Sequence, residues 1–289
     1  MSLWQHYLQP KSIQEAINAL AAAQGSILPL AGGTDLLLDL EQGRHAHVQT
    51  VLDVTGIREL LPIEIRGGEL FVGAAATHTQ IVNSPLVVEH AQALIEGCEL
   101  IGGPQVRNVA TLGGNVAHAL PAADGTVALM ALEAQAEIAS PSGTRRLPLG
   151  EVFLGPGKNI LAADELLVGF YIPLRRAGQA SAFRRVMRPQ GVAIAIINVA
   201  VWLERKEQRV VDVHIAVGPA GPKPWRAAAA ESALRGGTVN DETAGRALEL
   251  LLGEAQFRTS ARRASAEYRR HLVQDLLTGT LQTAWTRAA

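Results

Sequence analysis

The chain has 289 residues, 48% apolar and 18% charged, with a net charge of −1, so it has the material for a packed core of two or three units. Mixed charges and only 4% aromatic residues argue against a basic or base-stacking surface for nucleic acid. A single cysteine, Cys98, excludes an internal disulfide and a cysteine-ligated metal or iron–sulfur centre held by this chain alone.

Taken in order, the amino terminus lacks the basic and long apolar regions of a signal peptide. The longest apolar run, 192–203, contains Asn198 and is too short to span a bilayer. The expected setting is therefore cytoplasmic. Ser12-Ile13-Gln14-Glu15 reads as a capping box, with Ile13, Ala16, Ile17 and Leu20 on one helical face and a stop near Gly25. Residues 27–31 read as a buried strand running into Gly32-Gly33, residues 48–54 as another strand, and Gly56 as a break. Gly67-Gly68 between 63–66 and 69–73 predicts a hairpin.

Residues 77–80 open a short helix, 86–101 read as a longer one, and 122–132 as a helix with Asp124 in its first turn. A hairpin is expected from 136–140 and 144–149, and a strand over 166–172 stopped by Pro173. The composition shift at 174–181 reads as a linker. Strands then follow at 182–187, 193–203 and 210–217, with helices at 226–235, 241–252 and 260–277. The expected fold is α+β, with units at 1–55, 56–176 and 177–289, the last carrying a three-stranded antiparallel sheet and helices on one face. Arginines 258, 262, 263, 269 and 270 are expected on the solvated side of the last helices, and 222–225 as a structural corner.

No G-x-G-x-x-G follows a strand, and Gly155 to Asn159 lacks the spacing and final hydroxyl of a P-loop. H-E-x-x-H and G-x-S-x-G are also missing. His45 and His47 lie in a polar loop without an evident carboxylate, so no metal site is assigned there. What remains is a pair of glycine turns. In Leu30-Ala31-Gly32-Gly33-Thr34-Asp35 a strand delivers two flexible residues and a hydroxyl, which suits close approach of a diphosphate to bare N–H groups. The same residues also suit a tight turn capping a helix over 36–40. Thr111, Gly113, Gly114 and Asn115 repeat the pattern. Asp124 is either a helix-dipole acid or an acceptor for ligand hydroxyls. His118 either packs against a ligand or is structural. No nucleophile–base pair or paired-carboxylate site is visible, so the chemistry falls to a cofactor.

The segments AGGTDLLLDL and RNVATLGGNVAHALPAADGTVALMALEAQ resemble the FAD-binding medium subunit of the molybdenum hydroxylases. That family includes xanthine dehydrogenase, aerobic carbon monoxide dehydrogenase, 4-hydroxybenzoyl-CoA reductase and nicotinate dehydrogenase. The likeness extends to LLVGFYIP, AFRRVMRPQGVAIAIINVAV and VHIAVGPAGPKP, almost the whole chain. It implies a vanillyl-alcohol-oxidase-like FAD-binding domain of two α/β subdomains, followed by an α+β domain. By position it implies FAD contacts from residues 30–35, from Thr111, Gly113, Gly114 and Asn115, from Asp124, and from Ile101 and Leu167 along the flavin. Arg184 falls where some relatives carry a lysine near the isoalloxazine edge.

The resemblance further implies a large molybdenum-cofactor subunit and a small subunit with two 2Fe–2S clusters, assembled as a dimer of heterotrimers. Electrons would pass through FAD to NAD, a quinone or oxygen. Two other readings are a stand-alone flavin oxidase, against which stands the lack of a catalytic base, and a flavin-free scaffold, against which stand the intact glycines.

Overall fold

The computed structural model describes residues 3–188 and 194–289. Its first layer is a parallel three-stranded sheet built from β1 (His6–Leu8), α1 (Ile13–Ala21), β2 (Ile27–Leu30), α2 (Leu36–Glu41) and β3 (Thr50–Asp53). Strand order is β1-β3-β2, with the apolar Val51 and Leu52 of the central strand fully buried. Ser12 caps α1 by accepting from the Glu15 amide, but the Glu15 carboxylate reaches back to the Lys11 amide instead of closing a box on Ser12. The short strand β1 carries no sequence signal of its own: its three residues are all exposed. Strand β2 is only half-buried, because it forms the sheet edge.

A second layer begins with the hairpin β4 (Ile63–Arg66) and β5 (Glu69–Gly73), whose turn glycines have φ of 62° and 83°. Then come α3 (His78–Val82), closed by a Thr77–Gln80 capping box, α4 (Pro85–His90) and α5 (Gln92–Glu99). The single helix expected over 86–101 is broken at Ala91 (φ −141°, ψ 55°), where the next-but-one amide, Ala93, turns to the hydroxyl of Ser181 at 3.0 Å. A tertiary hydrogen bond overrides the local helical pattern here.

The chain continues through α6 (Pro104–Arg107), α7 (Leu112–Ala117) and α8 (Asp124–Ala131), in which every residue is buried. Strands β6 (Gln135–Ser140) and β7 (Gly143–Pro148), the small hairpin of β8 (Phe153–Gly155) with β9 (Lys158–Asn159), and β10 (Leu166–Pro173) complete the layer. The resulting five-stranded sheet, β4-β5-β10-β6-β7, is antiparallel throughout.

The third sheet comprises β11 (Gln179–Val186), β12 (Ile197–Lys206), β13 (Arg209–Gly218) and a two-residue β14 (Trp225–Arg226), all antiparallel. A fourth strand thus joins the three expected. It forms where a corner was read, because Arg226 extends its guanidinium to Glu231 and Glu133 while the Ala227 amide bonds Ile215. Helix α9 (Ala228–Leu234) accordingly starts later than expected, and α10 (Asp241–Glu254) and α11 (Ala266–Arg287) follow. The start of the strand expected at residue 193 lies outside the described residues.

Alternation along β11 and β12 splits this sheet's contacts. Ala182, Val199 and Val201 pack with α10 and α11, whereas Phe183 and Ala200 join the core around α5 and α8. Ser265, not Ser260, caps the last helix by accepting from the Tyr268 amide at 3.1 Å. One helix arginine departs from the solvated face expected of it. Arg269 is 2% exposed and donates to the Ile196 carbonyl.

Candidate functional site

The half-buried edge strand β2 ends at Leu30 and releases the chain into Ala31–Asp35. Gly33 has φ +69°, a conformation costly for any residue with a Cβ. Gly32 is required for a different reason. A Cβ there would stand 2.1 Å from the Val109 carbonyl oxygen and 2.6 Å from Ala110 Cα. The first glycine loop therefore lies directly on the backbone that enters Thr111, and the two turns distant in sequence share one place.

Among the described residues, no acceptor receives the backbone N–H groups of Gly32, Gly33, Thr34 or Asp35. Asp35 occupies the cap position of α2 without a side-chain capping bond, so helix capping does not account for its carboxylate. The loop offers a row of unpaired donors beside the half-exposed Thr34.

The second motif differs from expectation. Gly113 and Gly114 form the first turn of α7, not a left-handed turn, and their amides are already spent. Leu112 and Gly113 donate to Ala76 and Ala74, Gly114 donates to Thr111 Oγ1 at 3.0 Å, and Asn115 donates to the Thr111 carbonyl. What this half presents is side chains. Asn115 Oδ1 accepts from both the amide and the hydroxyl of Thr126, each at 3.1 Å, which leaves its two N–H groups unpaired. Gly113 serves packing: a Cβ would lie 2.5 Å from the Ala74 oxygen. At Gly114 the same atom would meet only Thr111 Oγ1, at 3.2 Å.

Asp124 opens α8 but is 5% exposed. Its Oδ2 accepts from Arg185 Nη1, and its Oδ1 from Asn198 Nδ2 at 2.7 Å. Burial raises the Asp124 pKa, and Arg185 and Asn198 offset part of that rise. Arg185 also donates to the Leu100 carbonyl, one residue before Ile101. Arg185 Nε and Asn198 Oδ1 are buried without a protein partner.

Arg184 lies elsewhere: its Nη2 donates to Thr283 Oγ1 of α11 at 3.0 Å. Adjacent strand residues face opposite sides of a sheet, so Arg185, not Arg184, reaches the Asp124 cluster. Leu167 is 5% exposed within the apolar core. Ile101 is half-exposed, on a loop braced by Arg107, whose Nη1 donates to the carbonyls of Ile101 and Gly102 at 3.2 and 3.0 Å. His118 is the C-cap of α7, and no metal-binding group of residues forms at His45, His47 or elsewhere among the described residues.

Sequence reasoning missed Arg185, Asn198, Arg107 and His78. His78 is 1% exposed with Nδ1 unpartnered, and burial, aided by the charge of Arg107, pulls its pKa down to about 4. The adjacent Arg184-Arg185 pair was a signal, but only strand register says which of the two turns inward.

The free donors of 32–35, the glycine-to-backbone contact and the orphaned polar atoms around Asp124 fit a long ligand with a diphosphate at one end and hydrogen-bonding groups at the other. FAD meets that description. The comparisons agree. The family described as "FAD binding domain in molybdopterin dehydrogenase" matches residues 3–175, and "CO dehydrogenase flavoprotein C-terminal domain" matches 181–284. The chain is 36% identical over 282 residues to the nicotine 6-hydroxylase medium subunit of Paenarthrobacter nicotinovorans, covering 97% of each. It is 34% identical over 276 residues to the xanthine dehydrogenase FAD-binding subunit of Escherichia coli O157:H7, covering 93% of this chain and 92% of that one. Its structure superposes on a chain of carbon monoxide dehydrogenase from Hydrogenophaga pseudoflava with a TM-score of 0.94 at 30% identity, over 99% of this chain and 98% of that one. This chain belongs to the FAD-binding medium subunits of the molybdenum hydroxylase family.

Proposed function

We propose that the chain is the electron-transfer subunit of a heterotrimeric molybdenum hydroxylase. It passes electrons between 2Fe–2S clusters of a small partner subunit and an external acceptor, NAD, a quinone or oxygen, while a large partner holds the molybdenum cofactor. The observation that carries this reading is the contact of Gly32 with Val109 and Ala110, which joins the two glycine motifs beside unpaired backbone donors.

In this reading the amides of Gly32 to Asp35 and the hydroxyl of Thr34 receive the FAD diphosphate, with Leu30 and Ala31 leading the backbone to it. The free N–H groups of Asn115 and the hydroxyl of Thr111 complete that contact, while Gly113 allows close packing on Ala74. Asp124, oriented by Arg185 and Asn198, accepts from hydroxyl groups of the cofactor, and Ile101 faces the ring system. FAD, when bound, supplies an acceptor that exchanges electrons singly or in pairs. The chain's share of the work is to exclude water from one side of that cofactor and to leave an edge open. Units 1–55 and 56–176 form the cofactor domain, and 177–289 closes over Asp124. A lone buried Cys98 supplies no ligand set for a cluster, so clusters belong to a partner. No helix among the described residues is long and apolar enough to cross a membrane. We place the complex, a dimer of such heterotrimers, in the cytoplasm.

The test is the visible spectrum of the purified chain with identification of the released flavin. Oxidised-flavin bands with roughly one FAD per chain are expected, as for a single cradle. A colourless protein that takes up no added FAD would overturn the reading. Purines, aldehydes or aromatic acids should leave the flavin of the isolated chain oxidised. Bleaching by such a substrate without partner subunits would show instead a self-contained oxidase.

A further inference from the structure

Positive charge is unevenly spread over a chain whose net charge is −1. Residues 258–270 hold Arg258, Arg262, Arg263, Arg269 and Arg270 against one acid, Glu267. Folding adds another arginine from far along the chain, because Arg188 Nη2 donates to the Arg263 carbonyl at 3.3 Å. Among the described residues, none of Arg188, Arg258, Arg262, Arg263 or Arg269 forms an ion pair, whereas eight other arginines do. The stretches outside the described residues, 1–2 and 189–193, contain no Asp or Glu in their sequence.

Within this cluster Arg269 is 2% exposed. One arm of its guanidinium donates to the Ile196 carbonyl, and Nε has no partner. A guanidinium stays protonated in proteins, so a buried cation is held here with an unused donor and no counter-charge. Burial, then the charges of Arg263 and Arg258, depress its pKa, which shows that its electrostatic neighbours are like charges. Arg263 is lowered in the same way, by burial and then by Arg258.

We propose that Arg258, Arg263 and Arg269, with Arg188 at the rim, form a binding site for a phosphoryl group. Three neighbouring guanidinium groups without a counter-charge exceed what a single carboxylate neutralises, whereas a phosphate monoester brings a charge of about −1.5 to −2 and three acceptor oxygens. Planar guanidinium forks match those oxygens in pairs. The burial of Arg269 favours a compact anion that reaches inward over a broad acidic protein surface. The site is separate from the FAD cradle: it belongs to α11 and the start of β12, whereas Arg185 and Asn198 direct their side chains to Asp124 of α8.

The test is calorimetric titration of the full chain with inorganic phosphate and with pyrophosphate, at low salt and with saturating FAD so that the diphosphate cradle is filled. Melting temperatures are recorded alongside. A single site is expected, together with a phosphate-dependent rise in melting temperature. Arg258→Gln and Arg263→Gln, at exposed and half-buried positions, should each weaken binding by about tenfold or more, the loss expected for one charge-assisted hydrogen bond, while keeping their flavin. Absence of binding and of thermal stabilisation by either anion would overturn the proposal, as would variants that bind like the parent. Stabilisation by polyglutamate but not by phosphate would also overturn it, and would assign the cluster to an acidic segment of a protein partner.

Discussion

Replacing Gly32 by alanine adds one carbon at the seam between the two glycine motifs. That carbon would stand 2.1 Å from the Val109 carbonyl oxygen, and it meets backbone, which cannot swing aside. Comfortable carbon contacts lie at about 3.5–4.0 Å, so the loop must retreat by about 1.4 Å or more from the chain entering Thr111. Overpacking of this kind costs about 1–3 kcal/mol. If that cost falls on the joined conformation that binds cofactor, FAD affinity drops by about 5- to 150-fold. Gly114→Ala is the control. It sits in the first turn of α7 with only Thr111 Oγ1 at 3.2 Å, and alanine is favoured over glycine within a helix by about 0.5–1 kcal/mol. The assay is FAD content per chain and flavin affinity by fluorescence quenching, with circular dichroism to confirm folding. Gly32→Ala with the parent's FAD affinity would refute the reasoning, as would loss of FAD from a folded Gly114→Ala.

Further expectations rest on buried charges. Arg185 and Asp124 side chains are each 5% exposed, so Arg185→Met or Asp124→Asn alone should destabilise by about 3–5 kcal/mol in urea unfolding, and the double variant by clearly less than the sum. Additive losses would show that the two do not act as a pair. His78 has a pKa of about 4 in the fold against 6.5 in the open chain. The unfolded state therefore binds a proton that the native state refuses between those values, and stability is unaffected above pH 6.5 but falls as pH drops toward 4. The window is worth up to about 3 kcal/mol, and His78→Phe should flatten that part of the stability-versus-pH curve. Glu231, 2% exposed, accepts from the Ile215 amide at 2.8 Å and from Arg226. Glu231→Ala orphans these donors and should cost at least about 1–3 kcal/mol by thermal or urea unfolding.

Much of the fold was legible because its signals are local. The Gly67-Gly68 hairpin, the Thr77–Gln80 cap and the alternating strands of the third sheet depend on residues within a few positions of one another. The break at Ala91, the strand at Trp225–Arg226 and the delayed start of α11 were not legible in this way. The first follows from a hydroxyl at Ser181, the second from pairing with Ala216 and Val217, and the third from the Ser265 hydroxyl, which accepts from the Tyr268 amide.

The site divides along the same line. Residue type alone marked Gly32, Gly33, Thr34, Thr111, Asn115 and Asp124, because close backbone approach and hydroxyl or carboxylate chemistry are properties of the residues themselves. Only the tertiary structure decided that Gly32 touches Val109, that the amides of Gly113 and Gly114 are consumed within the chain, and that Arg185 rather than Arg184 turns to Asp124. It also decided that Arg269 is buried among like charges and not spread on a wet helix face. These outcomes turn on strand register and on which donors remain unpaired, quantities that exist only after distant segments have met.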